Sequence, residues 1–292
     1  MSKILFYFPE QNFLAATLHE KTKIKLGNFI FNNFPDNETY VKINSPVKNK
    51  KIFLLCSLND VDKKILALLF FAKTAKELGA KEIILIAPYL AYMRQDKRFA
   101  KGEAISSIYF ARLLSECFDK LITVDPHLHR YKDLKEIYSI NAVTLHADDL
   151  IARWIKTNVK NPLLIGPDSE SKQWVEEVAQ KIAAPFLILK KVRNNSSNVT
   201  IGKPKILENF KDKTPVLIDD IIATANTMIK TLQHLHALKM KKAVCVGVHA
   251  IFVENSFSNL KKEHVKYVVT CNTIKHKSNK IDISDLLVRI LN

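Results

Sequence analysis

The chain has 292 residues, 47% of them apolar and 25% charged, with a formal net charge of +16. That length holds two modest domains or one large one, and the composition excludes disordered and fibrous classes in favour of a globular protein with real cores. No uninterrupted apolar stretch approaches bilayer-spanning length, and the N-terminus MSKILFYFPEQNF lacks a signal-peptide cleavage pattern, so a cytoplasmic protein is expected.

The positive charge fits nucleic acid, an acidic surface or small phosphorylated ligands. The lysines are dispersed, with only short clusters at 48–51 and 239–242, so a solvated surface ranks ahead of nucleic-acid binding. Cys56, Cys117, Cys245 and Cys271 are far apart and form no CxxC pair. They read as buried thiols in a reducing compartment, not as a zinc site or a disulfide framework.

In chain order, KILFYF, KIFLLC, EIILIA and LITVD read as strands, followed by PLLIG, FLIL, PVLID, AVCVGVH and YVVTC. Between them, Asp60–Leu78, closed by Gly79, and Ala104–Cys117 have helical amphipathic spacing. Near-continuous Val/Ile/Leu runs separated by helices predict parallel strands covered on both faces, an α/β architecture. A new strand–helix series starts near Leu145–Asp149, which predicts domains at 1–146 and 147–292. The segment KKVRNNSSNVTIGK, 190–203, has no apolar periodicity and reads as a mobile loop. Such loops are tolerated insertions or active-site lids.

Open α/β sheets bind ligands at the carboxyl ends of their strands, so the residues there matter most. EIILIA is followed by PYLAYMRQDKRFAKGEAIS, LITVD by PHLHR, PLLIG by PDSES, and PVLI by DDIIATANT. Singly, each has a bland reading: a structural His, an N-cap Asp, a solvated basic turn. Asp219 and Asp220 are the sharpest case, because adjacent carboxylates at the end of an apolar run need water or partners. A ligand offering hydroxyls to the acids and an anion to the turn behind them would supply those partners.

Together, in this order and spacing, the motifs resemble the ribose-phosphate pyrophosphokinases, also called phosphoribosyl pyrophosphate synthetases, over nearly the whole chain. FNNFPDNETYVKI is similar to that family's Phe-Ser-Asp-Gly-Glu segment, and the GEAIS and DPH forms are nearest its shorter, archaeal-type members. The resemblance implies two tandem phosphoribosyltransferase-like domains, each a mainly parallel sheet flanked by helices. It implies transfer of the β,γ-diphosphoryl group of ATP to the C1 hydroxyl of ribose 5-phosphate, giving phosphoribosyl pyrophosphate and AMP, with Mg²⁺ as cofactor. It also implies a homodimer or higher homo-oligomer, with no membrane.

Carried over residue by residue, ATP falls to Arg94, Gln95, Asp96 and His127, with Phe34, Asp36 and Glu38 reaching the adenine of a neighbouring subunit. His127 and Asp168 are the metal residues, a sparse set suited to magnesium held largely by phosphate oxygens and water. Lys191 and Arg193 are the catalytic cations, which neutralise charge developing in the transition state. Asp168, Asp219 and Asp220 serve ribose 5-phosphate. Ala223, Thr224, Ala225, Asn226 and Thr227 wrap its phosphate with backbone N–H groups, hydroxyls and the following helix N-terminus.

Three departures stand out: Ala225 and Asn226 replace adjacent glycines, Glu170 and Ser171 replace a small pair, and Asn37 replaces the glycine between two acids. Asn takes the left-handed conformation tolerably and Ala poorly, so the phosphate turn is expected to be held less comfortably. Two readings stay open, a working divergent synthetase and a relative that binds ligands but catalyses poorly. The surviving acids, His127, Arg94 and the Lys191/Arg193 pair favour the first. A phosphoribosyl-responsive nucleic-acid regulator trails, for want of a helix-turn-helix extension or an RNA-binding aromatic signature.

Overall fold

The computed structural model describes residues 1–168, 171–189, 191–194, 198–201, 207 and 209–291. They form two compact units, Met1–His146 joined by the tail from Ser284, and Ala147–Ile283.

In the first unit, β1 (Lys3–Tyr7), β2 (Lys25–Leu26), β5 (Lys51–Leu55), β6 (Glu82–Ala87), β7 (Lys120–Val124) and β8 (Asn141–Leu145) make one sheet, ordered β2-β1-β5-β6-β7-β8. Every pairing in it is parallel. Its central strands are buried almost throughout, as their unbroken apolar runs require. The helix Ile65–Glu77 buries Ala67, Leu68, Phe71, Ala72 and Ala75, a single stripe at helical spacing. It ends where the Gly79 N–H reaches Lys76 O at 2.9 Å and Gly79 takes φ +84°, a conformation that favours glycine.

A hairpin of β3 (Phe29–Asn33) and β4 (Thr39–Ile43) stands apart from that sheet. Two strands alone are marginal in water, so the hairpin needs packing. Phe29 supplies it, meeting Phe6, Phe8 and Phe71 with ring centroids 6.1, 5.5 and 4.9 Å apart, and Phe31 packs on Phe8 at 4.8 Å.

The second unit repeats the plan. Its sheet holds β9 (Pro162–Gly166), β10 (Phe186–Ile188), β13 (Thr214–Ile222), β14 (Ala243–Ala250), β15 (Val265–Cys271) and β16 (Asn279–Ile281), ordered β10-β9-β13-β14-β15-β16 and parallel throughout. The chain builds outward from β9 to β10 on one side and from β13 to β16 on the other. The strand order therefore reverses between β9 and β13, the place where such sheets open a crevice at their carboxyl ends.

Three details depart from the expectations above. Within 190–203, β11 (Lys191–Asn194) pairs antiparallel with β12 (Asn198–Ile201), so the described part is a hairpin where a loop was expected. Asp219 and Asp220 lie inside β13, which runs on to Ile222 rather than stopping at the acids. The last helix, Ser284–Leu291, packs in the first unit, whereas a second domain ending at 292 had been expected to contain it. It buries Leu287 and Leu291, and Lys21 Nζ binds Ser284 Oγ and Asp285 Oδ1 at 2.9 and 2.7 Å. Apolar burial and end contacts, rather than chain order, decide where that helix goes.

Among the described residues no helix is long and apolar enough to cross a membrane. The four cysteines are buried.

Candidate active site

In the second unit the crevice is built at the β9 and β13 ends. β9 pairs with β13 only from Thr214 to Leu217, while β14 accompanies β13 to Ile222. One edge of β13 is therefore outside the β9 ladder where Asp219 and Asp220 stand. Asp168 follows β9, and its Oδ1 and carbonyl accept the Ser171 N–H and hydroxyl at 3.3 and 2.7 Å, turning the chain into the helix Lys172–Lys181. Gly166 permits this turn: a Cβ there would sit 2.5 Å from Ser171 Oγ and 2.6 Å from Ile188 Cδ1. Ser171, one of the departures, thus has a structural job; Glu170 lies outside the described residues.

Asp219 and Asp220 are half-buried. The Asp219 carboxyl is held well above the usual carboxylate range, by loss of water first and then by the negative charges of Asp220 and Asp168. The negative charges crowded around Asp219 are relieved by hydroxyl donors or by a cation. The hard oxygen donors of these carboxylates fit magnesium.

The turn after β13 is fixed by the chain beyond β14. Phe252 N–H donates to Ile222 O at 2.9 Å, and Val253 N–H to Ala223 O at 3.2 Å. Ala225 takes the left-handed conformation, φ +59° and ψ +6°, and caps the helix Asn226–Ala237. The Ile229 N–H already bonds Ala225 O at 2.9 Å, so Asn226 is the first helical residue. Ala225 is buried, with Thr224 and Asn226 exposed and Ala223 and Thr227 half-exposed. A helix N-terminus behind a turn of N–H groups and hydroxyls suits an anion.

Lys191 and Arg193 stand on β11 opposite Ile201 and Val199.

In the first unit, the hairpin tip is a turn in which the Phe34 N–H bonds Glu38 O and the Asn37 N–H bonds Phe34 O, both at 2.8 Å. Asn37 takes φ +70°, so it fills the left-handed position that explains its substitution for glycine. Phe34, Asp36 and Glu38 are exposed, with Phe34 edge-on to Tyr40 at 5.5 Å.

Arg94 is exposed, while Gln95 and Asp96 are tied down beside it. Ser106 Oγ, at the start of the helix Ser106–Cys117, donates to Gln95 Oε1 at 2.8 Å, and the Ser107 N–H donates to Gln95 O at 3.3 Å. After β7, buried Asp125 accepts from His146 Nδ1 at 2.9 Å. His127 Nδ1 and His129 Nε2 face each other at 3.2 Å and share a hydrogen. Sequence reasoning assigned no role to Ser107, His129, Arg130 and Tyr131, although His129 and Arg130 lie within PHLHR and the other two beside the motifs.

The N-terminal domain of ribose phosphate pyrophosphokinase matches residues 4–117, and the phosphoribosyl transferase domain matches residues 133–286. The ribose-phosphate pyrophosphokinase of Saccharolobus solfataricus is 32% identical over 273 residues, 90% of this chain and 89% of that protein. That of Sulfolobus acidocaldarius is 32% identical over 262 residues, 87% of each chain. In fold, a phosphoribosylpyrophosphate synthetase from Mycobacterium smegmatis matches with a TM-score of 0.89 at 21% identity, covering 100% of this chain and 98% of its own. Family models over both halves and close-length relatives agree: the chain belongs to the ribose-phosphate pyrophosphokinase family.

Proposed function

We propose that the protein is a working ribose-phosphate diphosphokinase: the C1 hydroxyl oxygen of ribose 5-phosphate attacks the β-phosphorus of ATP. The bond from that phosphorus to the α–β bridging oxygen breaks, AMP leaves with that oxygen, and the hydroxyl proton passes to solvent. The observation that carries this reading is the carboxylate cluster of Asp168, Asp219 and Asp220 beside a turn that opens a helix N-terminus. The acids accept hydrogen bonds from the ribose 2- and 3-hydroxyls, and residues Ala223 to Thr227 take the 5-phosphate.

In the first unit, Arg94 and Gln95 bind the nucleotide, Asp96 belongs to the same segment, and His127 faces the metal–nucleotide. Asp168 serves ribose and metal in the second unit. Magnesium, when bound, neutralises phosphate charge and orients the diphosphoryl group. Lys191 and Arg193 stabilise charge that develops during transfer, which accounts for two cations spaced two apart on one strand. Phe34, Asp36 and Glu38, exposed at a hairpin tip, reach a neighbouring subunit's nucleotide in a homo-oligomer. A cytoplasmic location accords with four cysteines that are all buried.

The test is incubation of pure protein with Mg²⁺, ATP and ribose 5-phosphate. AMP must accumulate only when all three are present; ADP as the main product, or no turnover, favours the degenerate relative instead.

A further inference from the structure

Asp96 and Arg130 come from segments that follow different strands, β6 and β7, and they meet as an ion pair with Arg130 Nε 3.3 Å from Asp96 Oδ1. The two partners are unequally buried. The Asp96 side chain is 7% exposed and that of Arg130 49%. A carboxylate so withdrawn from water needs a partner, and beside a polyphosphate it would repel its own ligand unless neutralised. The neighbouring residue reinforces the link: Tyr131 OH donates to Asp96 O at 3.2 Å and lies 3.5 Å from Ser107 Oγ.

We propose that Arg130 is a positioning residue for the nucleotide, clipping the His127 loop to the Arg94–Asp96 segment through Asp96. Asp96 then acts through Arg130 and does not itself touch the nucleotide. The inference rests on the proposed assignment of Arg94, Gln95 and His127 to ATP. It also orients Gln95. With Gln95 Oε1 accepting from Ser106 Oγ at 2.8 Å, the side chain offers its N–H groups to the ligand, where phosphate oxygens and ring nitrogens need donors.

The test compares Arg130→Met, Arg130→Lys, Asp96→Asn and the Asp96→Asn/Arg130→Met double variant with wild type. The readouts are the KM for each substrate, kcat, Tm, and calorimetric affinity for Mg²⁺ with the α,β-methylene analogue of ATP. Arg130→Met should weaken analogue binding and raise the KM for ATP roughly tenfold, leaving the KM for ribose 5-phosphate within about twofold. Arg130→Lys should restore most of the loss. The double variant should bind no worse than Arg130→Met, because coupled residues are non-additive.

An additive double variant would show that Asp96 contacts the nucleotide directly and overturn the proposal. So would unchanged analogue binding in Arg130→Met, which reduces the pair to a surface contact, or equal losses for both substrates with a collapsed Tm. Should Arg130→Met fail to fold, the restoring power of Arg130→Lys against Asp96→Asn decides: equal losses in both overturn the proposal. Wild type that binds the analogue but makes no AMP defeats only the proposed activity. Wild type that binds no analogue defeats both.

Discussion

The Asn226 N–H reaches back to Thr224 Oγ1 at 3.5 Å, spanning Ala225 at φ +59°. The turn proposed to hold phosphate therefore attains the left-handed geometry without glycine and leads directly into the helix Asn226–Ala237. Holding Ala there costs about 1–2 kcal/mol. Its buried methyl recovers part of this, at about 0.8 kcal/mol per buried carbon group. Gly would also loosen the unfolded chain by about 0.4–1 kcal/mol.

These opposing effects nearly cancel, so Ala225→Gly should change stability by less than about 1 kcal/mol and leave ribose 5-phosphate affinity almost unchanged. Ala225→Val, whose branched side chain resists positive φ, should destabilise by more than about 2 kcal/mol. Denaturant titration and calorimetry of both variants check this. A large affinity gain in the glycine variant would mean the backbone is misdirected after all.

Asn226 is the first helical residue and is exposed, and it belongs to the turn proposed above to take the 5-phosphate. If it donates to that phosphate, Asn226→Ala should lose a charge-assisted bond of about 1.5–3 kcal/mol, read as a higher KM for ribose 5-phosphate. An unchanged KM would leave recognition to the backbone and Thr hydroxyls alone.

What could be read from the sequence follows burial. Runs such as EIILIA are buried on both faces, so composition alone marks them, and the stripe of Ala67, Leu68, Phe71, Ala72 and Ala75 marks its helix. The hairpin containing Phe29 and Phe31 escaped notice because it has no run of buried residues, and its stability comes from Phe6, Phe8 and Phe71, distant in sequence. Asp219 and Asp220 are legible as chemistry, but the continuation of the strand past Asp219 is not, since Asp is depleted in strands and only tertiary pairing with β14 carries the ladder on to Ile222. Arg130 shows its partner only once the ends of β6 and β7 are adjacent.

Lys191→Ala and Arg193→Ala should each lower kcat strongly while nearly preserving the affinity of both substrates. Stabilisers of this kind are worth about 2.7–4 kcal/mol apiece, or a hundredfold to a thousandfold in rate. Steady-state kinetics beside equilibrium binding separates the two effects. Lost ATP affinity with kcat retained would remove these residues from the catalytic role.

The hairpin tip should act across subunits. Phe34 is 49% exposed and Tyr40 38%, apolar surface that a second chain's nucleotide would cover. Phe34→Ala should raise the KM for ATP without changing the KM for ribose 5-phosphate. Mixing Phe34→Ala with an Arg94→Ala variant should restore activity, because some mixed sites would carry both native residues. Sedimentation showing a fully active monomer would exclude the shared site.

Asp219 should give the protein a pH signature opposite to that of a salt-bridged aspartate. Burial and the charges of Asp220 and Asp168 raise its folded-state pKa above the ordinary carboxylate value, about 3.9. Between those two values the folded chain holds a proton that the unfolded chain has released. By linkage, this group's contribution to stability falls as pH rises through that window and is recovered on acidification. Binding runs the other way, since only the ionised carboxylate is a pure acceptor for the ribose hydroxyls. Acidification should therefore raise the KM for ribose 5-phosphate at a pH above the usual carboxylate range, while the ligand-free protein loses none of the stability that Asp219 controls. Asp219→Asn should flatten both dependences, leaving a uniformly high KM and a Tm-against-pH curve without that component. Melting and kinetic series over the same pH values would decide it. A wild-type Tm that falls relative to Asp219→Asn on mild acidification would show Asp219 held ionised by a partner instead.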